Sequence, residues 1–333
     1  MKDIARTLGV SVATVSRALC DSPSISRKRR EAIQAYAREH NYTPNTFAEQ
    51  LRRSPQSPPK VIGVIVPEFV HYYFASVLTG IEREASSRGY RILVARSGEN
   101  YERECEICRQ FTQAKVCGII VSQAKDTVKY DHFISLVNAG VPLVFYDRIC
   151  PAINASRVVV DDYIGSFKAV TYLIEKGCRR IAYFGTDMNM EIAKNRYNGY
   201  KDALYKNGLT LDDTLVRICD TRADAERITP TMMRMENRPD AFFAVNDDTA
   251  LGILYSVRRL RYVVPDEVMI CGFTNDTRAV SCDPMLTTVE QRGVDVGEQA
   301  VDIMIGLVEG TLPRDHAEKR VVKTSLVVRG TTK

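Results

Sequence analysis

The sequence predicts an all-α helix-turn-helix headpiece joined to an α/β core of two doubly wound lobes. Three observations lead there. Helical periodicity in the first forty residues is interrupted at Gly9. From Val61 onward, short β-branched runs alternate with helical segments, as in parallel sheets covered by helices. Charge divides the same way. Residues 1–60 hold eleven Lys/Arg against five Asp/Glu, a net +6, so within a total of +5 the remainder sums to −1. A basic module on a nearly neutral body suggests an anionic partner for the module, most often nucleic acid.

A length of 333 residues allows two or three domains, each able to bury a core without disulfide or metal staples. The expected boundaries are a headpiece at 1–44, a hinge helix and linker at 45–60, and a core at 61–333. Within the core, lobe 1 is expected at about 61–160 and 292–320, and lobe 2 at about 161–291 and 321–333.

Lys2 to Leu8 reads as a short helix with Ile4, Ala5 and Leu8 on one side. Gly9 ends it, and Ser11 is placed to cap a second helix from Val12 to Leu19. Two short helices joined by a tight turn make a helix-turn-helix. A third helix, Arg27 to His40 capped by Ser26, brings Ile33, Tyr36 and Ala37 against Val15 and Leu19. The second helix then exposes Val12, Ala13, Thr14, Ser16 and Arg17. Small residues let a helix sit deep in a major groove, and an arginine can reach base or phosphate. The run Arg27 to Arg30 adds candidate phosphate contacts. Asn45 to Arg53 can make two helical turns, and Ser54-Pro-Gln-Ser-Pro-Pro59 ends any helix in a semi-rigid linker.

Other classes lose support at this stage. No stretch approaches eighteen apolar residues, and the N-terminus has no apolar signal region, so a cytoplasmic location and no membrane contact are expected. The nine cysteines then read as thiols. Cys105 and Cys108 share a helical face without a second Cys/His pair at zinc spacing, so packing is the simpler role. No H-E-x-x-H, G-x-S-x-G or phosphate-loop motif occurs, so neither an enzyme, a metal nor a cofactor is expected.

The segments DIARTLGVSVATVSRAL and SISRKRREAIQAYAREHNYTPN closely resemble the headpiece of the LacI/GalR family of bacterial transcriptional regulators. The resemblance continues through VDDYIGSFKAVTYLIEKGCRRIAYFG, NRYNGYKDAL, AVNDDTALGIL and TSLVVRGTT, and implies a periplasmic-binding-protein-like core. It implies a homodimer acting on a palindromic double-stranded DNA operator as a repressor. Operator affinity would be controlled by a small-molecule effector bound between the lobes, in the family usually a sugar or a sugar phosphate and sometimes a purine, and here expected to be a sugar or sugar derivative. By the same resemblance Ser11 and Thr14 contact phosphates, Val12, Ala13 and Arg17 face base edges with Ser16 nearby, and Tyr42 and Asn45 anchor the backbone. Leu51 matches the family's minor-groove wedge and Arg52 the basic residue beside it.

In the core, the resemblance carries Tyr72, Tyr73 and Phe74 after the first strand to the effector cleft. It adds Asp147 after the fourth strand, Asp161 at the start of the second lobe, Arg196, Asn246 after AFFAV, and Gln291 at a lobe crossover. The chain departs from the pattern after CGF, where relatives place an acidic residue and this sequence has Thr274. Ordinary structural roles compete for several of these. Asp161 or Asp162 can begin a helix, Asp147 can pair with Arg148, and Asp247 and Asp248 suit a helix N-terminus.

Overall fold

The computed structural model describes residues 1–40, 42 and 60–333. The chain divides into two compact units, Met1–Pro59 and Lys60–Lys333.

In the first unit, α1 (Lys2–Thr7), α2 (Val12–Leu19) and α3 (Arg27–Glu39) surround a small core of Ile4, Ala5, Val15, Ala18, Ile33 and Ala37. Helices of six and eight residues are too short to persist alone, so this shared core is what holds them. Gly9 turns the chain at φ +62°, a conformation that a Cβ would oppose. Ser11 then caps α2, its side-chain oxygen accepting from Thr14 N at 3.1 Å. Ser26 stands at the start of α3 but its side chain makes no capping bond. Instead, Gln34 Nε2 ties α3 to the end of α2 by donating to Ala18 O at 3.0 Å and to Asp21 Oδ1 at 2.9 Å. Ala18 is fully buried although the sequence pattern did not single it out, while Leu8, Leu19 and Tyr36 only flank the core.

The second unit contains two six-stranded sheets of matching order. The first lobe runs β1 (Val61–Val66), α4 (Tyr72–Ser87), β2 (Arg91–Arg96), α5 (Tyr101–Gln113), β3 (Gly118–Val121), α6 (Asp131–Asn138), β4 (Leu143–Tyr146) and β5 (Ser156–Val160). The second runs α7 (Asp162–Glu175), β6 (Ile181–Gly185), α8 (Glu191–Lys206), β7 (Val216–Ile218), α9 (Arg222–Met233), β8 (Ala241–Ala244), α10 (Asp247–Arg259), β9 (Met269–Thr274) and β10 (Thr287–Glu290). The chain returns through α11 (Gly293–Glu309) and β11 (Lys319–Val322) to the first sheet, and ends on β12 (Ser325–Val327) in the second. The orders are β11-β5-β4-β3-β1-β2 and β12-β10-β9-β8-β6-β7. Every described pairing is parallel except β12 against β10.

Strands buried on both faces read as continuous apolar runs, and β1, β3, β4, β6 and β8 do so here. Helices α4 and α11 pack against one face of the first sheet so closely that a Cβ on Gly80 would meet the Val294 carbonyl. Two strands escaped the sequence pattern. β5 follows an irregular stretch and runs straight into α7, and β10 is built on Thr287 and Thr288, polar by composition yet fully buried. Their hydroxyls are satisfied inside: Thr287 Oγ1 donates to Arg329 O at 3.0 Å and Thr288 Oγ1 to Asp247 Oδ1 at 2.5 Å. The last crossover also differs from expectation. A boundary at 320/321 would cut β11, whereas the chain leaves the first sheet after Val322. Asp161 and Thr324 lie side by side at two of the three crossovers, with Thr324 N donating to Asp161 Oδ1 at 2.6 Å.

Candidate functional site

The headpiece presents α2 with Ser11, Val12, Ala13 and Arg17 exposed and Thr14 and Ser16 half-buried. Ser11 and Thr14 hydroxyls lie 2.9 Å apart at the helix N-terminus, where backbone N–H groups favour an anion. Arg17 folds back along its own helix, its Nε donating to Ala13 O at 3.2 Å. Tyr42 is half-buried against the headpiece core, and its N–H donates to Ala37 O at 2.8 Å. Of the basic run, Arg27 pairs with Glu31 at 2.8 Å and Arg30 with Asp21 at 3.4 Å, while Lys28 and Arg29 are exposed with no ion-pair partner among the described residues. Asn45, Leu51 and Arg52 lie outside the described residues.

In the core, a cleft of about 290 Å³ opens between the lobes, outside the carboxyl ends of the strands of both sheets. Tyr73, Phe74, Asp147, Arg196, Asn246, Thr274 and Gln291 all line it. Tyr72 does not. Successive helical residues point about 100° apart, so at the start of α4 Tyr73 and Phe74 turn inward and Tyr72 remains half-exposed. Asp161 does not line it either. It faces a neighbouring hollow with Arg157 and Lys319, which Asp147 and Ile192 also border.

Several of these side chains are already committed to the protein. Arg196 is 6% exposed and donates from Nε to Asp162 Oδ1 at 2.7 Å and from Nη1 to Val245 O at 2.6 Å. Its guanidinium carbon lies 3.9 Å from the centre of the Phe273 ring. Burial pushes the Asp162 carboxyl up to about 6 against the pull of Arg196. Asn246 caps α10, its Oδ1 accepting from Thr249 N at 2.8 Å and its Nδ2 donating to Asp220 O at 2.8 Å. Thr274, where relatives were expected to carry a carboxylate, donates to Gln291 Oε1 at 3.1 Å. Asp147 does not pair with Arg148. Arg148 donates instead to both carboxylate oxygens of Glu99, at 2.8 and 2.6 Å, and lies over the Phe74 ring at 5.3 Å.

Sequence reasoning missed a polar rim of Glu68, His71, Glu99, Lys125, Arg148, Thr186, Asp220, Thr221 and Asp248. A signal existed, because each lies within a few residues of a strand's carboxyl end. Glu68 pairs with Arg96 at 2.7 Å, Lys125 with Asp220 at 2.6 Å, and Asp248 with Arg278 at 2.8 Å. Burial, helped by Arg148, holds His71 below its ordinary value, so the ring is neutral near pH 7. Burial also pushes the Asp147 and Tyr73 groups up.

No group of three or more His, Cys, Asp or Glu among the described residues is placed to hold a metal. Cys105 and Cys108 on α5 are free thiols, and burial pushes both up and away from reactive thiolate. No helix among the described residues is long and apolar enough to cross a membrane.

Comparison with known proteins agrees with both units. Residues 1–45 match the family "Bacterial regulatory proteins, lacI family", and residues 170–332 match "Periplasmic binding protein-like domain". The chain is 28% identical to the transcriptional repressor CytR of Escherichia coli (strain K12), over 100% of this chain and 96% of that protein. It is 29% identical to the transcriptional repressor PurR of Vibrio atlanticus (strain LGP32), over 100% and 98%. Among solved structures, the transcriptional regulator CelR in complex with cellobiose matches at 26% identity and TM-score 0.74, covering 98% of each chain. The lac repressor dimer bound to operator and the anti-inducer ONPF shares the fold at 24% identity and TM-score 0.84, covering 99% of this chain and 98% of that one.

Proposed function

The chain belongs to the LacI family of bacterial regulatory proteins, and from that premise we propose that it is a repressor whose DNA affinity is set by a small molecule held between the lobes of its core. The observation that carries this reading is the cleft itself. It gathers side chains from the carboxyl ends of strands in both sheets, so a ligand there touches both lobes and can bias their separation. The DNA partner is a palindromic operator, bound by a homodimer with one headpiece per half-site. Ser11 and Thr14 contact phosphate at the positive end of α2. Val12, Ala13 and Arg17 reach base edges with Ser16 beside them, and Tyr42 and Asn45 hold the backbone. Leu51 wedges into the minor groove next to Arg52. The effector is a carbohydrate or carbohydrate derivative, in keeping with the cellobiose in the complex of the similar regulator. Phe74, Asp147 and Arg196 line its site, while Asn246, Thr274 and Gln291 shape it.

Fluorescence anisotropy with DNA from upstream of the protein's own gene tests the reading. Binding should weaken steeply with salt, and a metabolite that binds the core should change operator affinity. Salt-insensitive or absent binding to every upstream fragment overturns it. Leu51→Ala should lose operator affinity without losing the core's ligand response.

A further inference from the structure

The ion pairs of the cleft leave one carboxylate apart from the rest. Glu99 is held by Arg148 and Asp220 by Lys125, each at 2.6 Å. Glu68 and Asp248 are held by Arg96 and Arg278 from just outside the wall. Arg196, the innermost cation, is held by Asp162 at 2.7 Å. Among the described residues, every cation lining the cleft therefore already has a carboxylate partner. Asp147 has none. It is 4% exposed, and its Oδ1 is enclosed without a hydrogen bond. The Tyr73 hydroxyl faces the Asp147 carboxyl and favours its charged form, His71 Nδ1 is enclosed without a hydrogen bond, and the Asp147 charge acts on both.

Enclosed polar atoms without partners are rare in folded proteins, and where they cluster in a cavity they mark what a ligand supplies. Asp147 can only accept while ionised, so it needs donated hydrogens. An anionic ligand finds no uncommitted cation and meets Asp147 in a weakly screened interior, where like charges repel strongly. We infer that the effector is an unphosphorylated molecule that presents hydroxyl or amino hydrogens to Asp147, and that phosphorylated relatives of it are rejected. This rests on the effector reading of the cleft and narrows it from carbohydrates in general to free sugars, amino sugars and nucleosides.

Matched pairs test it on the full-length protein by calorimetry: ribose, glucose, glucosamine and adenosine, each against its own monophosphate. Operator binding is measured in parallel. At least one unphosphorylated member should bind, with its phosphate weaker by about tenfold or more. Glucosamine binding better than glucose assigns an amine at Asp147, and equal binding assigns hydroxyls. Asp147→Asn should weaken the preferred member by about tenfold and narrow the gap to its phosphate. Asparagine tolerates the φ of +57° at this position, so the variant should fold, and its melting temperature checks that. A phosphate that binds as tightly as its parent, or a panel in which no unphosphorylated member binds, overturns the inference. A phosphate that both binds and shifts operator affinity overturns this inference while supporting the effector reading. Binding of a parent compound that leaves operator affinity unchanged supports this inference and overturns the effector reading.

Discussion

Lys125 Nζ and Asp220 Oδ2 lie 2.6 Å apart and join the two lobes at the rim of the cleft. Lys125 follows β3 in the first lobe and Asp220 follows β7 in the second. Both are held in place from behind. Lys125 N donates to Glu99 Oε2 at 2.9 Å, and the preceding Ala124 N donates to the buried Glu104 at 2.7 Å. Thr186 Oγ1 donates to Asp220 Oδ2 at 2.5 Å. With the Lys125 backbone and the Asp220 carboxylate both anchored within their own lobes, the pair links the lobes and favours the closed arrangement.

Lys125→Ala should therefore open the lobes. Both side chains keep some solvent contact, so the pair contributes on the order of 1 kcal/mol. A ligand that binds the closed form then loses roughly fivefold in affinity. Small-angle scattering should show a larger radius of gyration without ligand, and added salt should produce part of the same change in the unmutated protein. A variant with unchanged radius and unchanged ligand affinity sinks the idea.

Acidification should stabilise the core between pH 7 and 5. Burial raises Asp147, and pushes Asp162 and Asp247 to about 6, above the ordinary carboxylate value of 3.8. A raised carboxylate binds its proton more tightly folded than unfolded. Its contribution is complete below 3.8 and is lost as pH rises through about 6. Asp212, Asp224 and Asp302 are held below 3.8 by their hydrogen bonds and act oppositely, but only at lower pH. The melting temperature should fall from pH 5 to pH 7, and Asp147→Asn, which removes a buried carboxyl, should melt higher at pH 7. A melting temperature that rises over this interval contradicts the burial argument.

Ser11 can be given two separable duties. Ser11→Ala removes the cap on Thr14 N and should cost about 1 kcal/mol of headpiece stability, along with operator affinity. Ser11→Asp restores the cap but sets a negative charge against phosphate. It should regain stability by circular dichroism while staying weak in DNA binding. Full recovery of DNA binding in the Asp variant would show that only the cap matters.

The basic run at the start of α3 should divide in two. Lys28 and Arg29 have no ion-pair partner among the described residues, so replacing either with Ala should lower the salt slope of DNA binding by about 0.9. Arg30 holds the turn after α2 through Asp21, so Arg30→Ala should reduce headpiece stability more than the slope. Equal slopes in all three variants would remove the distinction.

Much of this molecule could be read from the chain. The alternation of apolar runs and helical segments placed most strands and helices within a few residues, because a strand buried on both faces and a helix buried on one leave different periods. β5 and β10 escaped because one has no turn before the following helix and the other buries threonines. The cleft positions Phe74, Asp147, Asn246 and Gln291 came from the family resemblance, and they agree with the rule that ligands in such sheets gather at the carboxyl ends of strands. Lys125 and Asp220 were not, since they are ninety-five residues apart and meet only through the packing of two lobes.

The sequence by itself determined the two kinds of unit, the surface of α2 and the alternation of strands with helices, because each follows from local period, charge and turn chemistry. Only the tertiary structure decided which charges are satisfied. Arg196, Glu99, Asp220 and Asp248 look free in the chain and are paired in the fold, while Asp147 looks paired with its neighbour and has no ion pair among the described residues. The physical reason is that ion pairing depends on distance in space and on exclusion of water, and neither is written in the spacing of residues along the chain.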